Sequence, residues 1–193
     1  MGHPADEEET MTEQVLVPIA DGTEEIEAVT IIDILRRAGA DVTVASVDGI
    51  QISASRGVKI TADQLIADCA DQAYDLIVIP GGMPGAEHLR DSDTLTELLT
   101  HHASHGRMYG AICAAPVIVL QHHGLLDGRR ATCFPSFVPR LANKESVEQR
   151  VVVDGDCVTS RGPGTAMEFA IKLVELLYTE EKAEEIAQRV LLA

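Results

Sequence analysis

The stretch Met108-Tyr109-Gly110-Ala111-Ile112-Cys113-Ala114-Ala115-Pro116 reads as a buried strand that stops at a cysteine and turns at once into a helix. That helix is expected to run from Ala114 to about His122. Ala111 and Ala115 flank Cys113 two residues away on either side, where a sharp strand-to-helix turn that exposes a nucleophile needs small neighbours. The first free N–H groups of the helix and the positive end of its dipole would then point at the sulfur and favour thiolate over thiol. A buried core thiol at a strand end is the other reading, and the stretch by itself leaves both open.

Upstream, Leu76–Pro80 (LIVIP) is apolar throughout, as a strand covered on both faces of a parallel sheet must be. Gly81-Gly82-Met83-Pro84-Gly85 follows it as a glycine-rich turn. Gln14–Ala20 is a first strand closed by Asp21-Gly22. A helix then runs from about Glu24 to Ala38, with Ile26, Val29, Ile32 and Leu35 on its apolar stripe and Gly39 as the stop. Asp41–Ser46 is a second strand, and Ile50–Ser55 and Val58–Thr61 are short strands set apart by turns. Ser92 caps a helix over Asp93–Ser104.

Downstream, Arg130–Cys133 reads as a strand, and Val151–Asp154 with Cys157–Ser160 as a hairpin. Thr165 opens a helix to about Tyr178 through a capping box with Glu168, and Glu180–Leu191 is the last helix. Strands alternating with helices predict an α/β fold on a mainly parallel sheet. Ligands bind such folds outside the C-terminal ends of the strands, and three features converge there: Asp21–Glu27, Gly81-Gly82 and Cys113.

The formal net charge is −16, and the leader over residues 1–12, read as disordered, holds four acids and no Lys or Arg, leaving −12 for the single domain expected over 13–193. Met11 begins a more ordinary protein start, so the first ten residues read as an extension. A body that acidic argues against nucleic-acid binding through a basic face, and 3% aromatics leave little to stack on bases. No apolar run approaches the ~20 residues of a membrane span, and the N-terminus lacks the basic and apolar regions of a signal peptide. A cytoplasmic location with free thiols is therefore expected. Cys69, Cys113, Cys133 and Cys157 have no C-x-x-C spacing and no His at ligand distance from two of them, so no metal is expected.

The histidines give Cys113 no proton partner of obvious geometry. His122 and His123 lie nine and ten residues down the elbow helix, ~14 Å away. His101, His102 and His105 precede the strand, fall near the opposite sheet edge and read as solvated helix residues. His88, just after the glycine turn, is on the right edge but on a helical turn expected to be exposed. Glu27, in the first turn after strand one, is the better candidate, whereas helix-dipole complementation suffices for Glu24 and Glu25. An ionised carboxylate beside a thiolate would raise the sulfur pKa, so a useful Glu27 stays protonated and donates a hydrogen bond. The N–H groups of Gly82 and Ala114 would pair as an oxyanion hole.

Ala20-Asp21-Gly22-Thr23-Glu24-Glu25-Ile26-Glu27, Pro80-Gly81-Gly82, Ala111-Ile112-Cys113-Ala114-Ala115-Pro116 and Thr159-Ser160-Arg161-Gly162-Pro163-Gly164-Thr165, in that order, resemble the ThiJ/PfpI superfamily. The nearest branch is that of the Parkinsonism-associated deglycase and its bacterial YajL relatives. The resemblance implies a flavodoxin-like three-layer sandwich with a small β-hairpin, and a homodimer. It also implies a reactive Cys113 assisted by a protonated Glu27, with Gly82 and Ala114 as oxyanion donors and no cofactor. Arg56 and Arg37 match positions that form a small anion site near the cysteine. Phe134 stands where the Parkinsonism-associated member has a histidine, and Ala114 where the protease-like members have one, which argues against peptidase activity. The activity implied is deglycation or glyoxalase-type turnover of methylglyoxal, glyoxal or their early adducts on proteins. The alternative is a redox-sensing chaperone whose Cys113 is oxidised to sulfinate; a thiamine-pathway role rests on fold analogy alone.

Overall fold

The computed structural model describes residues 12–192. The leader expected over residues 1–12 thus lies, Thr12 apart, outside the described residues. The strands are β1 (Gln14–Ile19), β2 (Asp41–Ser46), β3 (Gln51–Ser53), β4 (Lys59–Thr61), β5 (Gln64–Leu65), β6 (Leu76–Ile79), β7 (Met108–Ile112), β8 (Val151–Asp154) and β9 (Cys157–Ser160). The α-helices are α1 (Glu25–Ala38), α2 (Gly85–Arg90), α3 (Asp93–Ser104), α4 (Ala166–Leu177) and α5 (Glu180–Arg189).

Seven strands form one sheet in the order β5-β2-β1-β6-β7-β9-β8, parallel except for the β8–β9 hairpin, while β3 and β4 pair separately as an antiparallel ribbon. Helices α1, α4 and α5 pack together over one face and α2 and α3 over the other, giving the three layers and the flavodoxin-like α/β architecture. Both faces of β6 are covered, so Leu76, Ile77, Val78 and Ile79 are all buried, and β1 is buried beyond Gln14. Among the described residues no helix is long and apolar enough to cross a membrane.

Four local expectations are corrected. The inward stripe of α1 is Ala28, Ile31, Ile34, Leu35 and Ala38, whereas Ile26 and Val29 are half exposed. The helix is turned so that Glu27, not its apolar neighbour, faces the sheet. The elbow helix, expected from Ala114 to about His122, is a π-helix over Pro116–Gln121. Arg130–Cys133 forms no strand; both places beside β9 are taken, by β7 and β8. Its backbone N–H groups go instead to side chains, Arg130 to Asp154 Oδ2 at 2.8 Å and Thr132 to Thr159 Oγ1 at 3.0 Å. Thr165 does not close a capping box with Glu168: its Oγ1 is engaged by Ser160 Oγ at 2.7 Å and accepts from the Gly162 N–H at 3.1 Å. Glu168 binds Arg150 instead. The caps at Ser92 and Gly39 are as expected.

Candidate active site

β7 ends at Ile112, and Cys113 adopts φ 67°, in the left-handed region that non-glycine residues avoid. Two hydrogen bonds hold it there. The Cys113 N–H donates to the Ser160 carbonyl at 3.1 Å, and the Phe134 N–H donates to the Cys113 carbonyl at 2.8 Å. The side chain is thereby turned out of the sheet while remaining only 9% exposed.

The two loops on either side close around it. In the β6–α2 loop Gly82 has φ 94°, and a Cβ there would lie 2.4 Å from the Glu24 nitrogen and 2.5 Å from the Gly22 oxygen. Only glycine lets these two loops approach backbone to backbone. The Glu24 N–H donates to the Gly81 carbonyl at 2.9 Å, and the Glu24 carboxylate caps α1 by accepting from the Glu27 N–H at 2.8 Å. The cap fixes the first turn of α1, and so fixes where Glu27 points.

Glu27 is fully buried. Its Oε2 accepts from the Gly81 N–H at 2.8 Å, while Oε1 is buried with no hydrogen-bond partner among the described residues. A buried carboxylate oxygen without a donor is costly, so a neutral carboxylic acid fits the site better. Burial pushes the Glu27 pKa up to about 7, against the opposing Gly81 N–H and the Cys113 contact and with help from the Glu24 charge. For Cys113, burial raises the thiol pKa first and the Glu27 carboxyl second, while the N–H groups of Gly82 and Ala114 at the sulfur pull it down. The two residues share a proton problem. When Glu27 keeps its proton the repulsion between them vanishes, and the sulfur is left with burial opposed by two amide donors.

The structure thus brings Cys113, Glu27, Gly82 and Ala114 together. A cavity of about 270 Å³ opens onto Cys113, Gly82 and Ala114, lined also by Glu24, Arg56 and Phe134. Arg56 reaches this rim because Glu25 holds its loop: Glu25 accepts from Ser55 Oγ and from the Arg56 N–H, both at 2.8 Å. Burial works against ionisation of Glu25, but these hydrogen bonds outweigh it and keep its pKa below the usual value. The N–H groups at the start of α1 thus account for only part of the role of Glu25, and nothing in its sequence neighbourhood signalled the clamp. Arg37 is not at this site within the chain. It sits at the far end of α1, ~15 Å along the helix from Glu27, and pairs with Asp33 at 2.6 Å. His88 lies near Asp48 at 3.7 Å and does not line the Cys113 cavity.

Residues 13–176 match the model of the DJ-1/PfpI family. Protein DJ-1 homologs B and A of Arabidopsis thaliana are each 48% identical over 93% and 95% of this chain, which spans only 41% and 47% of their lengths. The glutathione-independent glyoxalase DJR-1.2 of Caenorhabditis elegans is 34% identical, with 93% of this chain and 95% of that protein covered. Among solved structures, oxidized Toxoplasma gondii DJ-1 superposes with a TM-score of 0.91 at 51% identity, covering 93% of this chain and 98% of that one. With the elbow cysteine, its glutamate and the glycine loop in their places, the chain belongs to the DJ-1/PfpI family.

Proposed function

We propose that this chain is a cysteine-dependent glyoxalase and deglycase acting on methylglyoxal or glyoxal and on their early adducts with protein amines and thiols. The observation that carries the reading is the buried Glu27 carboxyl, with one oxygen lacking a donor, set against a cysteine that receives two backbone N–H groups. The Cys113 thiolate adds to the aldehyde carbon of methylglyoxal, and the oxyanion that forms is held by Gly82 and Ala114. Glu27 moves the hydrogen from the former aldehyde carbon to the adjacent carbonyl carbon by way of an enediol, leaving a lactoyl thioester. Water hydrolyses the thioester to lactate and restores the thiol. The oxidation of one carbon is matched by the reduction of its neighbour, so the cycle calls for no electron acceptor and no cofactor. The glyoxalase name of the Caenorhabditis elegans relative supports the reaction class.

The half-exposed Ile26 and Val29 on α1 suit a homodimer face, and an anion site shared by Arg56 and Arg37 would need Arg37 from a second copy. A cytoplasmic setting suits the free thiols Cys69, Cys113, Cys133 and Cys157.

A second reading is favoured by the oxidized state of the Toxoplasma gondii neighbour. In it two equivalents of peroxide take Cys113 through sulfenate to sulfinate with release of two waters, and the Glu27 acid hydrogen-bonds the product. The test is lactate release from methylglyoxal. Cys113→Ser should abolish it, and Glu27→Gln should lower it at least ~100-fold through loss of the proton shuttle. Lactate formation by Cys113→Ser at the wild-type rate would sink the enzymatic reading. Peroxide adding two oxygens at Cys113 before any other cysteine would support the redox one.

A further inference from the structure

Beside the Cys113 cavity lies a second one of about 260 Å³, and Phe134 and Pro163 line both. Its wall is the loop after β9, where Arg161 stands one residue beyond the Ser160 carbonyl that anchors Cys113. The Phe134 ring lies close against this loop: a Cβ added at Gly162 would sit 3.1 Å from Phe134 Cδ2. The two cavities are therefore one cleft with an aromatic partition.

Its two arginines are not equivalent. Arg150 is neutralised by Glu168, with Nε 2.9 and 2.8 Å from the two carboxylate oxygens and Nη2 2.8 Å from the Gly164 carbonyl. Arg161 is three-quarters buried, and its Nε has no acceptor among the described residues. Its nearest acid is Glu148 at 3.6 Å, whose side chain is 86% exposed, so that pairing is weak. The Arg161 charge is felt at the Cys133 thiol, which it draws down against a burial that pushes it up to about 11. A guanidinium with spare donors in the cavity next to that of Cys113 matches one ligand group above others. A carboxylate presents two oxygens to the fork and supplies the missing charge.

We propose that Arg161 is an anion-docking residue that selects carbonyl compounds carrying a carboxylate a few bonds from the reacting carbon, such as dicarbonyl adducts of amino acids and peptide C-termini. The carbonyl sits at Cys113 and the carboxylate reaches past Phe134 to Arg161. The identity of the reacting carbonyl rests on the function proposed above; the docking does not.

Alkylation of Cys113 tests the docking without any turnover. N-iodoacetylglycine and its amide react with the thiolate by the same displacement of iodide and differ only in the terminal charge. The acid-to-amide rate ratio at Cys113, followed by peptide mass spectrometry, should fall roughly fivefold in Arg161→Gln and be largely kept in Arg161→Lys, with the amide rate equal in all three proteins. An unchanged ratio in Arg161→Gln overturns the proposal. In the wild-type protein N-acetylglycine should protect Cys113 from the amide reagent and N-acetylglycinamide should not; equal protection by the two overturns it without recourse to a variant. A protein that makes no lactate yet shows the ratio keeps the docking site and loses only the glyoxalase reading.

Discussion

The two edges of the central sheet each carry a cavity, and they are built differently. At the N-terminal ends of β6 and β7 a cavity of about 390 Å³ is lined by Tyr74, Glu97, His101, His102 and Arg107. Its polar groups are matched locally: His102 Nε2 lies 2.7 Å from the Met108 carbonyl, Arg107 Nη1 donates to the Tyr74 carbonyl at 3.1 Å, and Tyr74 Oη donates to Gln72 at 2.9 Å. The C-terminal edge has the smaller cavity, about 270 Å³, but it holds a residue at φ 67° and a buried carboxyl oxygen without a partner. Volume does not mark the candidate site here. A strained non-glycine backbone beside an unmet buried carboxyl does, because both are unfavourable and persist together only where the surrounding structure enforces them.

The sharpest way to break the comparison is one methyl group at each edge. At the reactive edge Gly82→Ala would need a left-handed alanine whose Cβ meets the Glu24 nitrogen at 2.4 Å. Strain plus a backbone clash should cost at least about 3 kcal/mol. At the other edge Gly106 also has positive φ, 65°, but a Cβ there meets nothing within 4 Å. Gly106→Ala should therefore cost only the conformational preference, about 1 kcal/mol. Urea unfolding of both variants checks this. Equal losses would mean that the two loops at the site are not held as tightly as their contacts indicate.

The edges should also respond to pH with opposite signs. Burial raises Glu27 from 4.5 to about 7, so between those values the unfolded chain has already lost a proton that the folded one keeps. The folded state binds more protons there, and stability falls as pH rises, by about 3 kcal/mol across the window. The difference in unfolding free energy between wild type and Glu27→Gln should shift by that amount between pH 4.5 and 7.5. A flat difference would mean that Glu27 is ionised in the fold and cannot donate to the sulfur.

Much of this site could be read from the sequence because its elements are local. The strand-to-cysteine turn, the acids after β1 and the Gly-Gly after β6 are each short patterns, and the parallel sheet places all three at one edge. What could not be read depended on rotation or on distant partners. The stripe of α1 was assigned to Ile26, Val29, Ile32 and Leu35; Leu35 is buried as expected, yet packing against α4 turns Ala28, Ile31 and Ile34 inward and leaves Ile26 and Val29 half exposed. Glu25 binds a loop thirty residues on, and that pairing has no local signature. Arg130–Cys133 has the composition of a strand, but β7 and β8 occupy both positions beside β9. Thr165 and Glu168 have the spacing of a capping box, but each finds a stronger partner across the loop.

At the N-terminal edge, His102→Ala leaves the Met108 carbonyl without its partner and opens space in the core, which should cost about 2 kcal/mol. Burial, with the Arg107 charge as a further cause, lowers the His102 pKa below 6.5 despite the Met108 hydrogen bond. The unfolded chain thus takes up this proton first, and wild-type stability is lost as pH falls below 6.5. The variant should lack that component while its Cys113 reacts with iodoacetamide at the wild-type rate. A change in that rate would show that the two edges communicate through β7.

Arg37 provides the smallest effect and the finest discrimination. It lies on the last turn of α1, at the N-terminal edge, and its pairing with Asp33 leaves both side chains about half exposed. An exposed i,i+4 pair of this kind is worth only about 0.3 kcal/mol. Arg37→Ala should therefore barely move the urea midpoint at low protein concentration, where a single copy dominates. If Arg37 instead completes an anion site with Arg56 of a second copy, the loss should grow with protein concentration and with added phosphate, since both favour the assembled state by mass action. A loss that is small and independent of concentration and phosphate would assign Arg37 to the inert edge and leave the anion chemistry of the reactive edge to Arg56 and Arg161.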